Sequence, residues 1–110
     1  IILQIEVPRG AAASDEIAAM PGVDMLWLGH NDLSVALGEP GAFDHSDFVL
    51  AEQATIAAAK KHGKSAGRLA ADARQGAEFV RMGYDFVSIA GDVWLLQQAF
   101  AAGVETVRRG

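Results

Sequence analysis

The chain opens on a short apolar run, Ile2 to Val7, broken at alternate positions by Gln4 and Glu6. Strand side chains alternate between faces, so the run predicts a buried strand whose two polar residues share one side. Pro8-Arg9-Gly10 reads as a loop. Ser14 reads as the N-cap of a short helix through Met20, with Asp15 and Glu16 in its first turn and Pro21-Gly22 as its stop. Val23 to Leu28 is a second strand, and Asp32 to Leu37 offers one or two helical turns before a glycine-rich loop, the longest irregular segment. From Ser46 to about His62, Phe48 or Val49, Glu52-Gln53, Ile56 and Lys60-Lys61 recur at near-helical spacing, and Gly63 ends the helix. Lys64 to Leu69 is a third, weaker strand, Ala71 to Met82 a helix closed by Gly83, and Tyr84 to Ala90 a fourth strand. After Gly91-Asp92, Val93, Leu96, Phe100, Val104 and Val107 mark a core-facing stripe on a last helix, widened by Trp94 and Leu95.

Four strands each followed by a helix predict parallel pairing through right-handed crossovers, an α/β sheet under a layer of helices. Four such units are half of a (β/α)8 barrel, whose usual length is ~250 residues. A small doubly wound sheet is the alternative, but no G-x-G-x-x-G turn supports a nucleotide fold. At 110 residues the chain supports one core. We therefore expect a single domain over residues 1–110, and a start at Ile1 rather than methionine marks it as a piece of something longer. An open half-barrel leaves two strand edges and apolar surface uncovered, which predicts association or poor stability unless another half covers them.

Composition narrows the function classes. The chain is 51% hydrophobic with a formal net charge of −5, and its Lys and Arg are scattered, which argues against nucleic acid. No apolar run approaches the ~18 residues of a membrane span and no secretion signal opens the chain, so a cytoplasmic location is the default. Absence of cysteine excludes disulfides, thiolate nucleophiles and zinc–sulfur sites. His30, His45 and His62 lack the i, i+4 spacing of metal ligands, and Lys60, Lys61 and Lys64 look like a helix-end cluster rather than a desolvated Schiff-base lysine.

Active sites of α/β folds gather at the C-terminal ends of parallel strands. The places to inspect are Gln4 with Glu6, His30-Asn31-Asp32 after Gly29, Gly67-Arg68-Leu69, and Gly91-Asp92. A buried, unpaired Glu6 would be costly, and something must compensate it. Glu6 and Asp32, delivered from neighbouring strands, can share a hard divalent cation such as Mg²⁺ or Mn²⁺, which favours oxygen ligands and leaves about four of six positions for substrate and water. The competing explanations are an arginine partner for Glu6 and a capping role for Asp32.

The blocks QIE (4–6), PGVDMLWLGHNDLSVALG (21–38), GKSAGRL (63–69) and GYDFVSIAGDVWLL (83–96) resemble, in order and spacing, the C-terminal half of the HpcH/HpaI aldolases. These are class II, metal-dependent pyruvate aldolases that include the 4-hydroxy-2-oxoheptanedioate and 2-dehydro-3-deoxyglucarate aldolases. The resemblance implies that this chain is the second half of an eight-fold barrel. It implies that Glu6 and Asp32 hold the cation (Mg²⁺ or Mn²⁺, with Co²⁺ or Zn²⁺ as further candidates), and that Gln4 and the backbone at Asn31 and Asp32 contact the 2-oxo acid. Leu69 would line the same site. The implied reaction joins pyruvate to an aldehyde, or cleaves the product, through a metal-stabilised enolate in a homo-oligomer whose barrels exchange their last helices.

Two departures stand out. His30 and Asn31 replace the proline and small residue expected before the metal aspartate, which bears on the aldehyde partner. The catalytic histidine, its aspartate partner and the substrate-binding arginine belong to the first half, and no segment here matches them, so no catalytic base is expected in this chain and it should be at best weakly active alone. The rival readings are a citryl- or malyl-CoA lyase-like enzyme of the same superfamily and a non-catalytic metal-binding half-barrel.

Overall fold

A computed structural model describes all residues, 1–110. Four parallel strands, β1 (Ile2–Ile5), β2 (Met25–Leu28), β3 (Ser65–Ala70) and β4 (Phe86–Ile89), lie side by side in chain order. Helices α1 (Pro8–Ala12), α2 (Ser14–Ala19), α3 (His30–Ala36), α4 (Ser46–Lys61), α5 (Ala73–Met82) and α6 (Asp92–Arg109) connect or follow them. This all-parallel β/α order is an arc of a (β/α)8 barrel, as the alternation of elements predicts.

Each strand is two-faced. Ile5, Leu26, Leu28, Ala66 and Ala70 point to the helices and are buried with Phe48, Ile56, Ala59 and Phe79 in one core. The opposite face carries Gln4, Trp27, Gly67 and Phe86 in one aligned row. Trp27 lies across β3 there: a Cβ on Gly67 would sit 2.6 Å from its ring, and Phe86 meets it edge-on at 5.9 Å. This inner face is open, and Ile2, Leu3 and Phe86 are exposed on the sheet.

Several local expectations change. Pro8-Arg9-Gly10 is not a loop but the first turns of α1, because proline at the first helical position has its φ already set and lacks only a donor that would be unpaired there. Ser14 is not an N-cap. It is buried inside the α1–α2 segment, its hydroxyl donating to Gly10 O at 3.2 Å and lying 3.4 Å from Thr55 Oγ1 on α4. The third strand is the longest of the four, because its two pairings are staggered: Ser65–Arg68 pair with β2 and Gly67–Ala70 with β4. The α6 stripe does not face this chain's core: Val93, Leu96, Phe100, Val104 and Val107 are all exposed, and α6 has no buried residue.

A surface cluster ties α2 to the end of α4. Asp15 accepts from Lys61 Nζ at 2.9 Å and contacts His62 Nε2 at 2.9 Å. The bonds from Lys61 and then His62 hold the Asp15 carboxyl below its ordinary value. A lowered carboxyl pKa adds stability that is full above about pH 4 and is lost as pH falls through the native value. Thermal unfolding of Asp15→Asn against the parent should therefore show a melting difference at neutral pH that shrinks as the pH is taken below about 4.

Candidate active site

The C-terminal edge of the sheet brings the predicted residues together. β1 and β2 pair through Ile5 and Leu28, and Gly29 N–H continues the ladder to Ile5 O at 2.9 Å, so Glu6 and Gly29 come next in register. Gly29 is the N-cap of α3, which makes Asp32 the third residue of that helix. Gln4, Trp27, Gly29, His30, Asn31, Asp32 and Leu69 line one cavity of about 180 Å³. Glu6 does not line it but bonds Gln4 and packs beside Gly29, which do.

Glu6 is half-buried rather than sealed within the sheet, because the inner face of the sheet is open. Its partner is Gln4, whose Nε2 donates to Glu6 Oε2 at 2.6 Å. The alternation that places residues 4 and 6 on one face thus supplies the carboxylate with a neutral donor from its own strand. No arginine pairs with Glu6. Asp32 does not cap α3 either, since no side chain caps that end. Within this chain neither competing explanation is realised, and Glu6 and Asp32 both lie at the C-terminal edge of the sheet.

The donor chemistry suits a hard divalent cation: two carboxylates and an amide oxygen, with no sulfur or paired imidazole. Gly29 keeps the space beside Gln4 and Glu6 open. A Cβ there would lie 2.8 Å from Glu6 Cβ and 2.8 Å from Gln4 Nε2, inside contact distance. Gly29→Ala should lower unfolding stability by about 1–3 kcal/mol through this overpacking, measured by urea denaturation, and should displace Gln4 and Glu6 from their mutual hydrogen bond.

His30 joins this cavity to a second, of about 230 Å³, lined by His30, Asn31, Phe43, Arg68, Leu69, Ala71, Gln75 and Trp94. The imidazole is half-buried and meets the Phe43 ring edge-on at 5.2 Å. Burial, and then the Arg68 charge, pull its pKa below the usual histidine value against the opposing pull of Asp32, so it is neutral at pH 7.

Behind this second cavity lies a charged cluster that the sequence reading passed over. Arg68 leaves β3 on the helix side, donates through Nη1 to Glu52 Oε1 of α4, and has only 4% of its surface exposed. Tyr84 Oη donates to the same carboxylate oxygen at 2.8 Å. The guanidinium stands 4.3 Å from the Phe79 ring centre and 5.4 Å from that of Phe48. Gly83 sets up this contact. At φ 111° its backbone closes α5, and Tyr84 N–H bonds Phe79 O at 3.1 Å, turning the Tyr84 ring against Phe79. Burial and the Glu52 carboxylate push the Tyr84 phenol up, so it remains a protonated donor. The available signal was a charged residue inside each core stripe: Glu52 between Phe48 and Ile56 at i, i+4, i+8, and Arg68 between Ala66 and Ala70 at alternate positions.

The family model for HpcH/HpaI aldolase/citrate lyase matches residues 1–99. A hydroxypyruvate/pyruvate aldolase of Paraburkholderia phytofirmans is 36% identical over 97% of this chain and 41% of its own length. A 5-keto-4-deoxy-D-glucarate aldolase of Klebsiella pneumoniae is 39% identical over 90% of this chain and 39% of its own. Among solved structures, a HpcH/HpaI aldolase/citrate lyase family protein from Burkholderia cenocepacia superposes with a TM-score of 0.93 at 34% identity, over 97% of this chain and 42% of that one. The chain spans about two fifths of the length of the relatives it matches. No helix is long and apolar enough to cross a membrane.

Proposed function

The chain belongs to the HpcH/HpaI aldolase/citrate lyase family, and from that premise we propose that it supplies the cation and 2-oxo acid half of a divalent-metal-dependent pyruvate aldolase. The observation that supports the reading is that Gln4 and Asp32 line one cavity with Gly29, against which Glu6 packs. The names of its relatives, aldolases of hydroxypyruvate, pyruvate and a keto-deoxy sugar acid, favour pyruvate and an aldehyde as the reacting pair.

Glu6 and Asp32 would hold Mg²⁺ or Mn²⁺. When bound, the cation supplies Lewis-acid stabilisation of negative charge developing on the keto oxygen of a 2-oxo acid, worth several kcal/mol in the transition state. The protein groups prepare that chemistry. The Gln4 amide, already aimed at Glu6, can turn a donor toward a substrate oxygen. The N–H groups of Asn31 and Asp32 face outward from the first turn of α3 and suit a carboxylate, where the partial positive charge of a helix start adds to the hydrogen bonds. Trp27 and Leu69 add apolar surface to the cavity wall. His30, neutral at pH 7, can hydrogen-bond to substrate without adding charge. The group that removes the methyl proton would come from residues outside this chain, as would the strands that complete the barrel over the open sheet face and the partner surface that covers the exposed α6 stripe.

The test is exchange of pyruvate methyl protons with deuterium, followed by NMR, in protein that also contains the other half of the barrel. Exchange stimulated by Mn²⁺ or Mg²⁺ supports the proposal. No metal-stimulated exchange ends it. A citryl- or malyl-CoA lyase-like activity would instead appear as acyl-CoA binding to the same protein.

A further inference from the structure

We propose that Phe43 is a positioning residue: its ring, carried on the segment that joins α3 to α4, fixes the plane of the His30 imidazole where the two cavities meet. His30 lines both cavities, whereas Phe43 lines only the larger of them. Hydrogen bonds hold the rings of His45 and His62, but none in this chain holds that of His30. A histidine ring turns about a broad, roughly two-fold torsion, so packing must choose its orientation. Phe43 supplies that packing, edge-on at a centroid distance of 5.2 Å and an interplanar angle of 65°, an arrangement that aromatic quadrupoles favour.

Phe43 is itself held by buried groups. Its ring lies 5.3 Å from that of the buried Phe48, and the Arg68 guanidinium carbon, tied in place by Glu52, stands 5.6 Å from its centre. A cation at that range is attracted to the ring face. The segment that carries Phe43 is latched to α3 by one hydroxyl. Ser34, 1% exposed, donates from Oγ to Asn31 O at 2.7 Å and accepts from Gly41 N–H at 3.0 Å. The Ser34 carbonyl accepts from Glu39 N–H at 3.0 Å, and Phe43 N–H bonds Gly41 O at 3.1 Å. Opening the latch would cost a buried hydroxyl its donor, which opposes movement of the segment. The Glu52–Arg68 pair thus has a route to His30 through Phe43. That Phe43 orders the His30 ring stands on this packing alone; that the order serves the reaction rests on the aldolase reading above.

The measurements are made on protein that also contains the other half of the barrel. Carbon-13 relaxation of the His30 ring should report a rigid group in the parent and in Phe43→Tyr, which keeps the aromatic face. In Phe43→Leu the ring should become mobile, with an order parameter below about 0.6. Should Phe43→Leu not fold, Ser34→Ala, which removes the latch and leaves both rings, decides in the same way. The proposal is overturned if the ring stays as ordered as in the parent, or if Phe43→Tyr loosens it as much as Phe43→Leu. Phe43→Leu should also slow metal-stimulated exchange at saturating pyruvate about tenfold, yet add nothing to His30→Gln, because a residue that acts through another has no separate effect once that other is gone. An equal loss in both backgrounds overturns the route through His30. Absence of exchange in the parent removes the aldolase reading and leaves the ring measurement to decide the positioning.

Discussion

Arg68→Ala is expected to lower the free energy of unfolding by about 3–5 kcal/mol, the loss typical of stranding one member of a buried ion pair. The reason is location. Arg68 and Glu52 each have a side chain about 5% exposed, so neither can recover its hydration when the other is removed. Glu52 would keep only the Tyr84 hydroxyl as a donor, and the space left beneath Phe79 and Phe48 would add a cavity term. Glu52→Ala should cost a similar amount, because it strands the guanidinium among aromatic rings. Replacing all three polar members together, as Arg68→Met, Glu52→Leu and Tyr84→Phe, should return stability to within about 1 kcal/mol of the parent or above it, since well-packed apolar residues often match a buried pair. Urea denaturation of the three proteins checks this. Equal losses for the single and triple replacements would mean that the cluster matters through its shape and not its charge.

Glu6→Gln and Asp32→Asn are each expected to weaken Mn²⁺ binding at least about 100-fold by calorimetry. Outer-sphere partners of metal ligands typically cost 10–100-fold when lost, so removing a ligand's charge outright should reach or exceed that range. Stability should hardly move, within about 0.5 kcal/mol, because Asp32 is exposed and Glu6 only half-buried. Affinity lost without stability separates a ligand from a structural carboxylate. Unchanged Mn²⁺ affinity in both variants would leave the chain a scaffold and nothing more.

Much of where this candidate site lies was legible from the residues. The alternation of Gln4 and Glu6 in an apolar strand announces a polar face, and the strand-end position of Asp32 points to the same edge, because parallel sheets present their C-terminal ends together. The local errors share a cause. A proline after a strand and a serine before an acidic turn are ambiguous over three or four residues. Packing of α1 and α2 on α4 decides them, burying Ser14 against Thr55. The stripe on α6 was real as a pattern, but periodicity fixes which residues share a face and is silent on what that face meets.

The sequence by itself determined the class of fold, the order of its elements and the strand edge where the acidic residues gather, because side-chain period and chain direction are local properties. Only the tertiary structure decided that Gly29 packs against Gln4 and Glu6, and that Arg68 turns away from the sheet's inner face to be buried on Glu52. Those pairings join residues 16 to 32 positions apart or packed across strands, and their partners are chosen by distance in space and by the need of each buried charge for a mate.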